Sequence, residues 1–128
     1  MRLWLGIAAL SGLAAVGLGA YAAHGGPGEG SGAQAAQAAH WIEVAWRYHM
    51  AHSLLLLFLA LWMEGYPASR LSQLAAGFTV LGLLLFSGSL YLMGLADMLA
   101  LRPVVPFGGG AFLLAWACLV GEAFRRRR

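Results

Sequence analysis

The chain has 128 residues, 61% of them hydrophobic and only 10% charged, with a formal charge of +3. A soluble domain carries about a quarter charged residues, and a chain this short cannot enclose so much apolar surface in one core. Lipid must be its main solvent, as the mean hydropathy of +0.74 also indicates. The basic residues are all arginine, and four of the eight close the chain as Arg125, Arg126, Arg127 and Arg128. That is the pattern of a topology signal, not of a nucleic-acid surface, and no nucleic-acid partner is expected. The single cysteine, Cys118, sits in an apolar run and reads as a packing residue.

Four apolar stretches follow, at about 3–23, 44–63, 71–95 and 104–124. Each is long enough, at about 1.5 Å per residue, to cross a hydrocarbon core of about 30 Å. Backbone groups in lipid must be satisfied within the segment, so each is expected to be a helix. The expected fold is an all-α integral membrane four-helix bundle, a single domain. The first stretch imitates a secretory signal, with Arg2 before an apolar run and Ala20-Tyr21-Ala22 after it. Its run is longer than a signal core, and a permanent helix is expected. Small residues four apart, at Ala15, Gly19 and Ala23 and at Ala8 and Gly12, predict close packing of this helix against another.

The segment after it is loop-like through its glycines and Pro27. Ser31 and Gln34 then have capping-box spacing, so a helix is expected to start near Gly32. Glu43 and Arg47 stand as an i,i+4 pair. A short interfacial helix is expected here, either bent from the second span or running straight into it.

With four spans both termini fall on one side. Placing them in the cytoplasm leaves Arg2, Arg70 and the C-terminal four arginines inside, against Arg47 and Arg102 outside, in keeping with the positive-inside rule. The expected location is a plasma or inner membrane, crossed four times, with the lipid bilayer as first partner. A lipid, a quinone or another membrane protein is a further candidate partner.

Polar residues of all four segments converge at one level on this reading. His49 and His52 lie about 8–12 Å below the outer start of the second span. Ser87 and Tyr91 lie at a similar depth in the third, His24 ends the first, and Pro106 with Gly108 and Gly109 opens the fourth. A polar cluster of His24, His49, His52, Ser87, Ser89 and Tyr91 is thus expected in the outer leaflet. Ser87 or Tyr91 is expected to hydrogen-bond His52 or His24, directly or through one water, because unpaired polar groups are costly in hydrocarbon. Gly19, Gly88, Pro106, Gly108 and Gly109 are expected to pack helices closely, with Gly108 or Gly109 against another helix backbone.

Each polar residue also has a plainer role. His24 before Gly25 suits a helix C-terminus, the serines suit bonds to their own helix, and Tyr91 suits an interfacial belt. His49 and His52 form an H-x-x-H pair, but no cysteine or carboxylate completes a ligand set, and no metal or cofactor is expected. Ser87 or Ser89 with His52 lacks an elbow motif or a third orienting group, so no catalytic residue is assigned. Proton-coupled carriers ordinarily use a mid-membrane carboxylate, which this chain lacks on the present reading. Two functions follow: a non-enzymatic binding or accessory subunit, or a small oligomeric transporter or channel with His52 as its proton-linked residue.

Four motifs carry a family resemblance. Gly19-Ala20-Tyr21-Ala22-Ala23-His24-Gly25, Tyr48-His49-Met50-Ala51-His52, Phe86-Ser87-Gly88-Ser89-Leu90-Tyr91 and Pro106-Phe107-Gly108-Gly109 occur in this order. In this the chain resembles the domain-of-unknown-function 423 family, called transmembrane protein 256 in animals. The chain departs from the family pattern with His49 in place of a glutamine, Val105 in place of a threonine, and Ala115 in place of a glycine before Trp116. The resemblance implies a four-helix membrane protein and carries no established activity.

Overall fold

The computed structural model describes residues 2–25 and 32–126. Its elements are α1 (Arg2–Ala23), α2 (Ala33–Gly65), α3 (Arg70–Gly82), a π-helical turn (Leu83–Gly88), α4 (Ser89–Ala96), a 3-10 turn (Leu99–Val104) and α5 (Val105–Arg126). α3, the π turn and α4 form one continuous third span, Arg70–Ala96. Four helical stretches among the described residues are long and apolar enough to cross a membrane.

The segment before the second span is not a separate helix. α2 runs unbroken for 33 residues, a length of about 50 Å, so it projects beyond a bilayer core of about 30 Å. Nothing in 33–44 breaks it, since the run is alanine-rich and glycine-free. Gly32 precedes the first turn at φ 113° and supplies no side-chain cap; Ser31, the expected cap, lies outside the described residues. Glu43 and Arg47 pair at 2.6 Å, as their spacing predicts.

The tight link after α2 turns through extended Tyr66 and Pro67. Ser69 then caps α3. Its hydroxyl accepts from the Ser72 N–H at 3.0 Å, and the Ser72 hydroxyl accepts from the Ser69 N–H at 3.0 Å. This reciprocal bonding is a capping box with serine in the position glutamate usually fills. α4 ends on Asp97 in a left-handed conformation, φ 54°. The Asp97 N–H and the Met98 N–H, the latter at 3.3 Å, both reach back to the Leu92 carbonyl.

α1 packs along α2, α5 along α3 and the π turn, and α4 against α2. Two apolar clusters result. One, toward the termini, contains Ala8, Leu55, Leu56, Leu59, Met63, Ala75 and Ala76. The other, toward the α4–α5 link, contains Ile42, Ala45, Leu90, Tyr91 and Met93. Leucines such as Leu10, Leu13, Leu84 and Leu113 point outward, which in lipid carries no hydrophobic penalty.

Candidate functional site: a polar layer at mid-bundle

Between the two apolar clusters lies a layer of buried polar side chains. Ser53 Oγ is 2.6 Å from Ser11 Oγ, Ser11 Oγ is 3.2 Å from His49 Nε2, and His49 Nδ1 is 3.0 Å from Tyr91 Oη. The chain of hydrogen bonds therefore links α1, α2 and α4. Its protons have two consistent orders, one the reverse of the other, because hydroxyls and a neutral imidazole each both donate and accept. Beside it, the Ser87 hydroxyl donates to the Ala45 carbonyl at 3.0 Å and ties the π turn to α2.

His52 faces the other way. Its Nδ1 is 2.9 Å from the Tyr48 carbonyl, which only accepts, so Nδ1 carries the hydrogen. Nε2 then accepts from the Trp116 indole N–H at 3.2 Å. Phe112 stacks on the imidazole with ring centroids 3.7 Å apart. Both nitrogens and one face of the ring are thus engaged.

The layer differs from its sequence-based expectation in level and in pairing. It lies near mid-bundle, since His49 bonds Ser11, near the middle of α1. Tyr91 bonds His49, not His52 or His24, and Ser87 bonds a backbone carbonyl. One turn of helix separates His49 from His52 without putting them in the same groove, so one meets α1 and α4 while the other meets α5. His24 is exposed at the end of α1, away from the layer. Its N–H closes on the Ala20 carbonyl at 3.1 Å, the helix-terminal role. Ser89 is buried on α4.

The glycines sort in the same way. A methyl group added at Gly108 would overlap the backbone of Leu85 and Phe86, so α5 meets the π turn main chain to main chain. At Gly109 it would make only ordinary contact, 3.8 Å from the Phe86 ring. Gly19 receives the Trp46 indole, not a helix backbone, and that indole donates to the Ala15 carbonyl at 3.0 Å. Gly88 has no close neighbour from another helix and instead lines a groove. Pro106 is exposed in the first turn of α5.

Four residues of these bonds escaped the sequence. Ser11 and Ser53 carry no motif, although Ser11 lies between Ala8 and Ala15 on the small-residue face that meets α2. Trp116 is half exposed, and nothing in its spacing pairs it with His52. Glu122, near the end of α5, is only 3% exposed. It accepts from the Ser69 hydroxyl at 2.6 Å and from Arg125 at 2.7 and 3.2 Å.

The order Ser11, His49, Tyr91 is that of nucleophile, base and orienter. The site nonetheless offers no oxyanion donors, because the backbone N–H groups around it are consumed inside continuous helices. Among the described residues no three His, Cys, Asp or Glu side chains converge as a metal set. The arrangement is suited to holding helices and to binding. Ser11, His49, Ser87 and Tyr91 also line a groove of about 390 Å³ between α1 and the third span, whose other walls are apolar, among them Leu10, Leu18 and Leu83.

The profile of a family described as "Protein of unknown function (DUF423)" matches residues 18–109. The chain belongs to that family. Its relatives include a UPF0382 membrane protein of Haemophilus influenzae, 34% identical across 97% of this chain and 95% of the relative. The UPF0382 inner membrane protein YgdD of Escherichia coli is 36% identical across 99% of this chain and 93% of its own length. The Bacillus subtilis UPF0382 membrane protein YwdK is 32% identical across 98% of each. No solved structure matches the chain. This DUF423 protein is thus an integral membrane protein whose sequence aligns with those relatives over nearly their whole length.

Proposed function

We propose that the protein is a non-enzymatic binding or accessory subunit of the membrane, with the groove between α1 and the third span as its binding surface. One observation carries this reading: the Tyr91–His49–Ser11 chain lies along a groove that opens sideways from the bundle. Its size falls in the range of small-molecule sites, about 300–1,000 Å³. Apolar walls with hydroxyl, phenol and imidazole groups between them suit a lipid or a quinone, a long apolar chain with a carbonyl or hydroxyl head. A transport reading rests on His52, whose two nitrogens are already engaged, so the accessory reading is preferred. Mass spectrometry of lipids and quinones retained by the detergent-purified protein tests it. One lipid or quinone class is expected to be enriched over the bulk extract and lost in His49→Leu. A retained set identical to the bulk membrane would overturn the reading.

We also place both termini on the cytoplasmic side. Arg2, Arg70 and Arg125 share one end of the bundle, and Arg47 and Arg102 lie toward the other. Labelling of a cysteine introduced at Arg128 by an impermeant reagent, applied to intact cells, would overturn this assignment.

A further inference from the structure

At the end of the bundle away from the termini, α2 projects past the apolar core and leaves a hollow against the α4–α5 link. It encloses about 690 Å³ and is lined by Gln34, Gln37, Trp41, Met93, Asp97 and Arg102, among others. A second hollow of about 430 Å³ shares Gln37, Trp41, Met93 and Arg102 with it and continues along Leu90, Val105 and Pro106. The pair forms one groove, polar at its rim and apolar below. It is separate from the groove beside His49, with which it shares no lining residue.

The rim carries two charges, and they are not spent on each other. Arg102 stands over the Trp41 ring, its guanidinium carbon 5.8 Å from the centroid, a cation–π geometry that fixes the cation beside the hollow. Asp97 is held at the left-handed end of α4 and forms no ion pair with Arg102. A rim with one cation, one anion and two neutral amides has no net charge to offer a singly charged ligand. It complements a zwitterion with a phosphate for Arg102 and a hydrogen-bonding cation for Asp97. A guanidinium matches phosphate oxygens in fork geometry. A primary ammonium gives a carboxylate three N–H donors, which a quaternary choline lacks. The apolar floor below supplies a track for an acyl chain.

We infer that this groove is a binding site for phosphatidylethanolamine, with its phosphate at Arg102, its ammonium at Asp97 and an acyl chain along Leu90, Met93 and Val105. The anionic phosphatidylglycerol would set its charge against Asp97 with no ammonium to relieve it.

Native mass spectrometry of the delipidated full-length protein, mixed with equal amounts of the ethanolamine, choline and glycerol phospholipids of the same acyl chains, tests the assignment. The ethanolamine lipid is expected to be retained preferentially. Arg102→Gln should reduce its retention about ten-fold, the size of one lost charge-assisted bond. Asp97→Asn should abolish the discrimination between ethanolamine and choline heads while leaving phosphate binding. Both residues are exposed, and unchanged melting of the variants in detergent would confirm that they fold. Equal retention of the three lipids by the wild-type chain, or an ethanolamine preference that survives both substitutions, would overturn the site.

Discussion

Gly108 of α5 rests on the main chain of Phe86, within the turn of the third span that is wound as a π helix. π turns are rare and frequent at functional sites. Here the wide turn does two things at once. It presents the backbone of Leu85 and Phe86 to α5, and it sends the Ser87 hydroxyl to the Ala45 carbonyl of α2. The break in the leucine run at Phe86-Ser87-Gly88-Ser89 is therefore the point where three spans are fastened together.

Gly108→Ala is expected to destabilise the protein by about 1–3 kcal/mol, the usual cost of overpacking a fitted interface. Its Cβ would collide with main chain, which cannot move aside as a flexible side chain does. Gly109→Ala, which would meet only a ring at ordinary distance, should be nearly neutral. Thermal unfolding in one detergent compares the two, and equal midpoints would contradict the contact.

The His49–Tyr91 bond is expected to show coupling in a double-mutant cycle on Tyr91→Phe and His49→Leu. The coupling should be of the order of 0.6 kcal/mol and no more than about 1.7 kcal/mol, the range for hydrogen bonds between membrane helices. The same cycle on Tyr91→Phe and His52→Leu should show none, because His52 faces α5. Unfolding in mixed micelles supplies the measurement.

Glu122 fastens the start of α3 to the end of α5 through Ser69 and Arg125. Glu122→Ala is expected to lower stability by about 1–3 kcal/mol, since it removes the charge-assisted bond between the Ser69 hydroxyl and the Glu122 carboxylate. Arg125→Ala should have a smaller effect, because the guanidinium is 53% exposed and its ion pair is screened. Melting midpoints at low and high salt compare the two: nearly all of the wild-type advantage over Arg125→Ala should vanish with salt, while the part of the Glu122→Ala loss due to Ser69 should remain.

Gly19→Val should loosen α1 from α2. The substituted side chain would occupy the place of the Trp46 indole and break its bond to the Ala15 carbonyl. α1 packs chiefly on α2, so few other contacts would hold it. A disulfide engineered between the two helices is expected to form more slowly in this variant than in the otherwise unchanged chain. Unaltered cross-linking would contradict the expectation.

The sequence by itself determined the solvent, the number of spans and the all-helical fold. Those follow from composition and run length, since lipid leaves a spanning backbone no partner but itself. It also singled out His49, His52, Ser87, Tyr91 and Gly108 as residues too polar or too small for their setting. Only the tertiary structure decided their partners. The identity of a partner depends on the rotation and depth of each helix, and both were reset by local events that composition does not encode. The packing of α1 along α2 brought Ser11 to His49. The π turn, which contains Ser87, reset the facing of the third span before Tyr91. Glu122 reads as a residue at a span end, yet the neighbouring Ser69 cap encloses it. A single hydroxyl or carboxylate has no periodicity, so its role is legible only once another helix stands beside it.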